Sequence, residues 1–486
     1  MRIRGVILLA AALCACFTLD ASGADAGKRG LLASIDDRAA EYWSCALDIW
    51  SWSEPGYQEP KSSARLQQLL SEAGFEIQAG VAGMPTAFVA SFASSERVPE
   101  EPVIGILAEF DALPGLSQEA VPFRSPRAET RWGHACGHHL LGTASVAAAI
   151  ALSERLAAGE LRGEIRLYGT PAEEGGGAKV FMVREGLFAD VDAVLHWHPS
   201  SDNAAGDPTN QARIAAKFRF KGRSAHAAAA PEQGRSALDA IALTNHCAEL
   251  LREHTPDLTR LHHIITAGGD APNVVPEHAE GYYYVRHPDP AIARSVYDRL
   301  LLCAEGAATG TETELFVEYL GGIYNVLPND TLARVSLRNL RALPPIEYSP
   351  EETEWALQLQ ETLADPKPLE SVARVLDRSG MVSRGSTDVG DVSWVVPTSG
   401  VRTATWVPGT PAHSWQAVAA GGMSIGRKGM LQAARALAAT AWDLYQEPSV
   451  LEEAKRELAK RTAMSEYRAM LDAGQEPPLD YRGRAD

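Results

Sequence analysis

Apolar residues recur at helical intervals near the start of the chain. Leu31, Ile35, Ala39, Trp43, Ala46 and Trp50 predict helices within residues 31–76. The pattern then changes to short apolar runs rich in branched residues. V-I-G-I-L-A (103–108) reads as a buried strand that leads directly into Glu109-Phe110-Asp111, and residues 164–168 and 193–197 read as two more. Between them, the Ala-rich stretch 142–156 reads as a helix. Strands alternating with helices predict an α/β domain with a largely parallel sheet flanked by helices. In such sheets functional groups gather on loops at strand ends. Asp111, Glu173, Glu174 and His198 each follow a predicted strand.

From residue 212 the periodicity shifts again. I-A-A-K-F-R-F predicts an amphipathic strand over 212–220, followed by a helix at 236–253, strands at 261–267 and 281–286, a helix at 291–309 and a strand at 314–319. That β-α-β-β-α-β order predicts an inserted ferredoxin-like domain. After Asn325 the chain is expected to return to the first domain and to close it with an Ala-rich helix at 425–445. The expected divisions are 25–211 and 324–448 for the two parts of the catalytic domain, 212–323 for the insertion, and 449–486 for a peripheral helical tail.

Length and charge narrow the picture. A chain of 486 residues suits two or three domains at ~150 residues each. A net charge of −17, from 62 acidic and 45 basic residues, argues against nucleic acid and anionic membrane surfaces as partners. Arg2 and Arg4 precede an apolar run over 6–19 and the small residues Ala21, Ser22, Gly23 and Ala24. This is the pattern of a secretory signal, 1–24, with an exported soluble protein as the expectation. Leu13-Cys14-Ala15-Cys16 offers a lipid anchor through Cys16 as the alternative. No later segment reads as a membrane span. Of the remaining cysteines, Cys45, Cys136, Cys247 and Cys303, the spacing pairs none.

The densest chemistry is Gly133-His134-Ala135-Cys136-Gly137-His138-His139. A thiolate and an imidazole two positions apart on a glycine-flanked loop can face one point and suit zinc or a similar borderline metal. A glycine turn around a buried cysteine is the bland alternative. A nucleophilic Cys136 is the rival chemistry, and it leaves the other acidic and histidine groups without work. Glu173-Glu174, after Gly169-Thr170-Pro171-Ala172 and before three glycines, can place one carboxylate on a metal and its neighbour within reach of a proton to be taken. An exposed acidic turn is the alternative there. His196 and His198 share one face of an extended segment, so either can be a ligand or a core histidine. His413, in Pro411-Ala412-His413-Ser414-Trp415, is unconvincing alone.

Together the pieces resemble the aminoacylase/carboxypeptidase family of metallohydrolases. The likeness rests on G-I-L-A-E-F-D-A-L-P-G-L (105–116), G-H-A-C-G-H-H-L-L-G-T (133–143), G-T-P-A-E-E-G-G-G (169–177) and H-W-H-P (196–199). It continues through S-A-H-A-A-A-A-P (224–231), A-P-N-V-V-P (271–276), S-T-D-V-G-D-V-S-W (386–394) and G-T-P-A-H-S-W (409–415). The phrasing is similar to the branch of hippurate and indole-acetyl-amino-acid hydrolases.

The resemblance implies two divalent metal ions, zinc or manganese, held by Cys136, His138, Glu174, His198 and His413. It implies Glu173 as general acid/base, and Asn273 and Arg286 as binders of a substrate carboxylate. His226 would act as a catalytic residue, reaching the active site of a partner subunit, in a homodimer or in a heterodimer with a related subunit, to stabilise the oxyanion there, and Asp111 would orient the ligands. The implied activity is hydrolysis of an N-acyl amino acid, with an aromatic acyl group and a glutamate-like leaving group of the p-aminobenzoyl-glutamate kind. A catalytically silent binding protein for the same compounds is the competing expectation. Two positions depart from the pattern: Glu109 stands where more distant relatives have a metal-binding histidine, and His139 where this branch often has Asp or Asn.

Overall fold

The computed structural model describes residues 26–483, so the signal expected at 1–24 and the anchor at Cys16 lie outside the described residues. Helices α1 (26–37), α2 (Ala39–Trp52) and α3 (Pro60–Glu72) bury the apolar stripe beginning at Leu31 and Ile35. Strands β1 (Glu76–Ala79), β2 (Phe88–Ala93) and β3 (Val103–Ala108) follow, and every residue of β3 is buried, as its unbroken apolar run requires. A two-residue ladder, β4 (Leu113–Pro114) with β5 (Trp132–Gly133), leads to helix α4 (His138–Ala157). Then come β6 (Glu164–Gly169), α5 (Ala178–Arg184), β7 (Ala193–Ser200) and β8 (Asn203–Ala205).

The insertion is built from β9 (Ala212–Lys221), α6 (Ala237–Arg252), β10 (Arg260–Ala267), β11 (His278–His287), α7 (Pro290–Thr311) and β12 (Glu314–Ile323). Beyond it lie α8 (Asp330–Ala342), α9 (Pro350–Gln360), β13 (Val375–Asp377), α10 (Val389–Ser393), β14 (Thr398–Ala404), α11 (Trp415–Gly421), α12 (Ser424–Gln446) and α13 (Pro448–Thr462).

The larger sheet has eight strands in the order β1-β2-β6-β3-β7-β14-β8-β13. Its centre, β6-β3-β7-β14, is parallel, whereas β1, β2 and β8 join antiparallel to their inner neighbours. The expected parallel sheet is therefore the middle of a mixed one. Helix α4 packs against it and against α12, and the many alanines of α4 let both neighbours approach closely. By length and composition α4 could cross a membrane, contrary to the reading of the sequence, but it is the buried core helix of this sheet. The smaller sheet has the order β10-β11-β9-β12, all antiparallel, with α6 and α7 on one face and its own apolar core. This is the ferredoxin-like arrangement. A disulfide, Cys247–Cys303, joins α6 to α7.

The C-terminal tail is not peripheral. Helix α13 buries Leu451 and Ala454, and the chain beyond it forms a strap that touches both sheets' layers. Tyr467 Oη donates to Asp391 (2.9 Å), and the Met470 carbonyl accepts from Gly322 N–H (2.8 Å) at the end of β12. Gln475 donates to the Leu320 carbonyl (3.3 Å), while its own carbonyl accepts from Arg184. Scattered polar contacts of this kind, most of them between a side chain and a distant carbonyl or carboxylate, need no hydrophobic period, so the Pro-rich sequence carried no sign of them.

Removing residues 463–486 should therefore loosen the junction where β12 returns to the larger sheet. We expect the melting temperature to fall by roughly 5 °C or more and limited proteolysis to cut first near residues 320–326. Unchanged melting and cleavage would show the strap to be passive.

Candidate metal centre and substrate cavity

Three segments converge at the C-terminal ends of the parallel strands. The first follows β3. Glu109 and Asp111 are both buried there, and Asp111 accepts hydrogen bonds from His138 Nδ1 (2.8 Å) and from Glu174 N–H (3.0 Å). The second is the loop into α4. Gly137 has a φ of +73°, and a Cβ there would lie 2.8 Å from the Pro199 ring, so glycine is required for the turn that brings Cys136 and His138 together. The third follows β6. Ala172 adopts a positive φ of 55° and donates its N–H to the fully buried Glu59 (3.0 Å), while Tyr57 Oη donates to the Gly176 carbonyl (2.8 Å). These bonds hold Glu173 and Glu174 in place.

His198, within β7, donates from Nδ1 to the Pro199 carbonyl (2.7 Å), which leaves Nε2 to face Cys136 Sγ at 3.2 Å. His413 arrives from the loop after β14 with a φ of 57°, its N–H donating to the Ala135 carbonyl (3.0 Å) and its Nε2 lying 3.1 Å from Glu174 Oε1.

The donor atoms fall into three overlapping groups, each within 4.8 Å: Cys136, His138 and His198; Cys136, Glu174 and His413; Glu109, His138 and Glu173. Their chemistry fits divalent cations. His138 Nε2 and Glu109 Oε2 stand 3.2 Å apart, yet both are buried without a hydrogen-bond partner, and so is Glu174 Oε1 beside His413. Buried donor atoms that approach closely without forming a hydrogen bond suit a shared third atom. The first two groups contain all five expected ligands and share Cys136.

The site also perturbs the groups that titrate in it. Burial pushes the pKa of Glu173 up, and Glu109, Glu174 and Asp388 push it further in the same direction. Burial also lowers that of His198, to about 3, so its ring is neutral. For His138, burial opposes the charge, but Cys136 and Asp111 outweigh it and hold the pKa well above the usual value.

A feature the motifs did not announce lies beneath. Lys179, fully buried in α5, reaches Glu109 Oε1 and Asp388 Oδ1, both at 2.7 Å. Burial disfavours its charge, yet Asp388 and Glu109 overcome that and keep it protonated. A lone lysine in the otherwise apolar run A-K-V-F-M-V was the available signal.

The other expected residues divide. Arg286 lines a cavity of about 610 Å³ together with Cys136, Glu173, Glu174, His198 and His413. His226 and Asn273 do not line it. They sit together on an exposed part of the insertion, where Ala227 N–H donates to the Asn273 carbonyl (2.9 Å) and residues 226 and 274 form a bridge. His139 turns into the core and donates to the Gly421 carbonyl (3.0 Å), so it does not compete as a ligand. His196 pairs with Asp207 (3.2 Å) and belongs to none of the donor groups. From the strap, Arg482 donates to the Glu174 carbonyl, which places the chain's last described residues at the edge of the site.

Known proteins share the sequence pattern and the fold. The profile of peptidase family M20/M25/M40 matches residues 105–417. The chain is 38% identical over 463 residues to a p-aminobenzoyl-glutamate hydrolase subunit of Escherichia coli K12, covering 89% of this chain and 95% of that protein. It is 32% identical over 441 residues to the Xaa-Arg dipeptidase of Mus musculus, covering 88% and 91%. A dinuclear metal-binding M20 peptidase from Bacillus subtilis shares the fold, with a TM-score of 0.59 at 19% identity over 85% of this chain and 99% of that one.

Two substitutions probe the centre. Asp111→Ala frees both His138 and Glu174, and we expect metal affinity, measured by calorimetric titration, to fall by roughly 10- to 100-fold. Lys179→Met strands two buried carboxylates, and urea denaturation should show a loss of about 3–5 kcal/mol. A loss below about 1 kcal/mol would mean that the lysine's charge is not what holds them.

Proposed function

Because this chain belongs to peptidase family M20/M25/M40, a family of hydrolases acting on amide bonds, we propose that it cleaves N-acyl amino acids with an aromatic acyl group and a glutamate-like leaving group. The observation that carries the reading is the pair of donor groups sharing Cys136 beside the partly buried Glu173, in a cavity that Arg286 also lines.

Cys136, His138, Glu174, His198 and His413 would hold two divalent cations, zinc or manganese. When bound, such cations polarise the amide carbonyl and lower the pKa of water towards ~7. Glu173 takes the proton from the attacking water and returns it to the leaving nitrogen. Its burial and its crowding by Glu109 and Glu174 favour the protonated state that the second half of this cycle needs. Arg286 grips the carboxylate of the leaving amino acid with its planar fork.

His226 and Asn273 lie away from this cavity, which supports a dimer in which each subunit lends them to the other. The relative's designation as a subunit keeps both a homodimer and a pairing with a related chain in view. Residues 212–323 act as the lid, between catalytic segments 25–211 and 324–448. The Arg-flanked apolar start of the chain supports export after cleavage near Ala24, and the Cys247–Cys303 disulfide is of the kind that persists in an oxidising compartment.

The test uses metal-reconstituted protein and a panel of acyl-amino acids. Glu173→Ala should lower kcat by roughly 100- to 10,000-fold while bound metal, counted by atomic emission, stays near the wild-type level. Dialysis against a strong chelator should remove activity, and manganese or zinc should restore it. Substantial turnover by the Glu173 variant would refute the assigned base, and activity that survives chelation would point to Cys136 as a nucleophile. Tight binding of the panel without turnover would return the silent binding protein.

A further inference from the structure

The face of the smaller sheet that looks away from α6 and α7 carries a row of cations and tyrosines. Arg213 on β9 stands directly opposite Arg286 on β11 in the antiparallel register. Like charges in directly opposed positions destabilise a sheet, so this pairing needs a reason. Both guanidiniums lie over the same ring, that of Tyr284, at 4.9 and 5.5 Å. Cation–π contact offsets part of the repulsion but neutralises no charge.

Neither arginine has an acidic partner among the described residues. Each has a buried Nε with no hydrogen-bond acceptor, and the one polar contact of Arg286 is a long one, 3.5 Å to Ser386 Oγ. Burial and the proximity of Arg213 push the pKa of Arg286 down, as expected where positive charge is left uncompensated. The contrast with Arg219, further along β9 on the same strand, is direct. That exposed arginine has both Glu280 and Glu318 as partners. Carboxylates are thus supplied along this sheet where solvent already screens the charge, and withheld where the sheet faces the cavity.

Both Arg213 and Arg286 line the cavity that contains Glu173 and the donor groups. Their surroundings diverge. Arg286 is turned towards Ser386, whereas Arg213 also borders a second groove beside Gly175, Gly176 and Gly177. Two anchors that share one ring yet open to different sides suit two carboxylates on one short ligand better than a single carboxylate.

We propose that Arg213 is a specificity-determining residue that binds the side-chain carboxylate of the leaving amino acid, while Arg286 binds its α-carboxylate. The pair selects N-acyl derivatives of acidic amino acids over their neutral and cationic counterparts. This rests on the amidohydrolase reading above and adds to it a residue for which no motif gave any sign. The selectivity is electrostatic. An amide isostere fills the same space but leaves the half-buried Arg213 charge without a counter-ion, so the discrimination lies in charge and not in shape.

The experiment compares p-aminobenzoyl-glutamate with p-aminobenzoyl-glutamine on the full, metal-reconstituted chain. The wild type should favour the glutamate compound in kcat/KM by roughly 100-fold. Arg213→Gln should collapse that ratio to within about threefold of unity, and Arg213→Lys should keep part of it. Arg213→Glu should turn the preference towards p-aminobenzoyl-arginine, a gain that misfolding cannot imitate. Arg286→Gln should depress all three substrates together.

A wild type that turns over both compounds equally, or an Arg213→Gln variant that keeps the full glutamate preference, overturns the proposal and leaves the amidohydrolase reading standing. An equal loss on both compounds assigns Arg213 to the α-carboxylate and overturns it too. If no compound is hydrolysed, the amidohydrolase reading fails on its own, and calorimetric binding of the same compounds decides the clamp. Glutamate-selective binding that Arg213→Gln removes supports it, and non-selective binding or none refutes it.

Discussion

Asp111 is the contact through which the site is assembled. One of its oxygens accepts a hydrogen bond from His138 Nδ1 and the other from the N–H of Glu174, so a single carboxylate ties the start of α4 to the turn after β6. Because Nδ1 is committed to Asp111, Nε2 is the nitrogen left to face Glu109 and the thiol. Asp111 is buried at the end of β3, and burial alone would push its pKa up. His138 and the Glu174 N–H reverse that and keep the carboxylate ionised. Asp111 is thus itself kept ionised by the groups it holds in place.

The same pocket concentrates negative charge to a degree that a folded protein tolerates only with compensation. Beyond the effect of burial, Glu109, Glu174 and Asp388 raise the pKa of Glu173, and Glu109 raises that of Asp388. Lys179 is the buried ammonium set among them. It satisfies Glu109 on one oxygen and leaves the other, Oε2, free to face His138 Nε2. Compensation is therefore incomplete in one direction, towards the donor groups, which is where divalent cations would finish it. Where the cavity meets the smaller sheet the sign is inverted. Arg213 and Arg286 are cations without counter-ions among the described residues, so the two walls differ in the charge they lack.

These walls belong to different layers, and their relation depends on the return of β12 and on the strap that crosses it. Tyr467, Met470 and Gln475 join α10, the end of β12 and α5 through hydrogen bonds, and Arg482 continues to the carbonyl of Glu174. The tail thus connects the attachment of the inserted domain to the turn that presents the acidic pair.

The sequence by itself determined the elements whose burial follows a local pattern. The unbroken apolar run of β3, the mostly apolar, Ala-rich α4 and α12, and the alternation of β9 each encode their burial locally. The donors of Cys136, His138, Glu174, His198 and His413 were legible for a similar reason: their residue types sit beside glycines and strand ends within short motifs. Only the tertiary structure decided what depends on atoms distant along the chain. The antiparallel flanks of the large sheet, the burial of Lys179 between Glu109 and Asp388, the inward turn of His139, the docking of the tail and the opposition of Arg213 to Arg286 have no local signature. Each is set by which surfaces meet, and a charge declares its role only when its partners, or their absence, are in place.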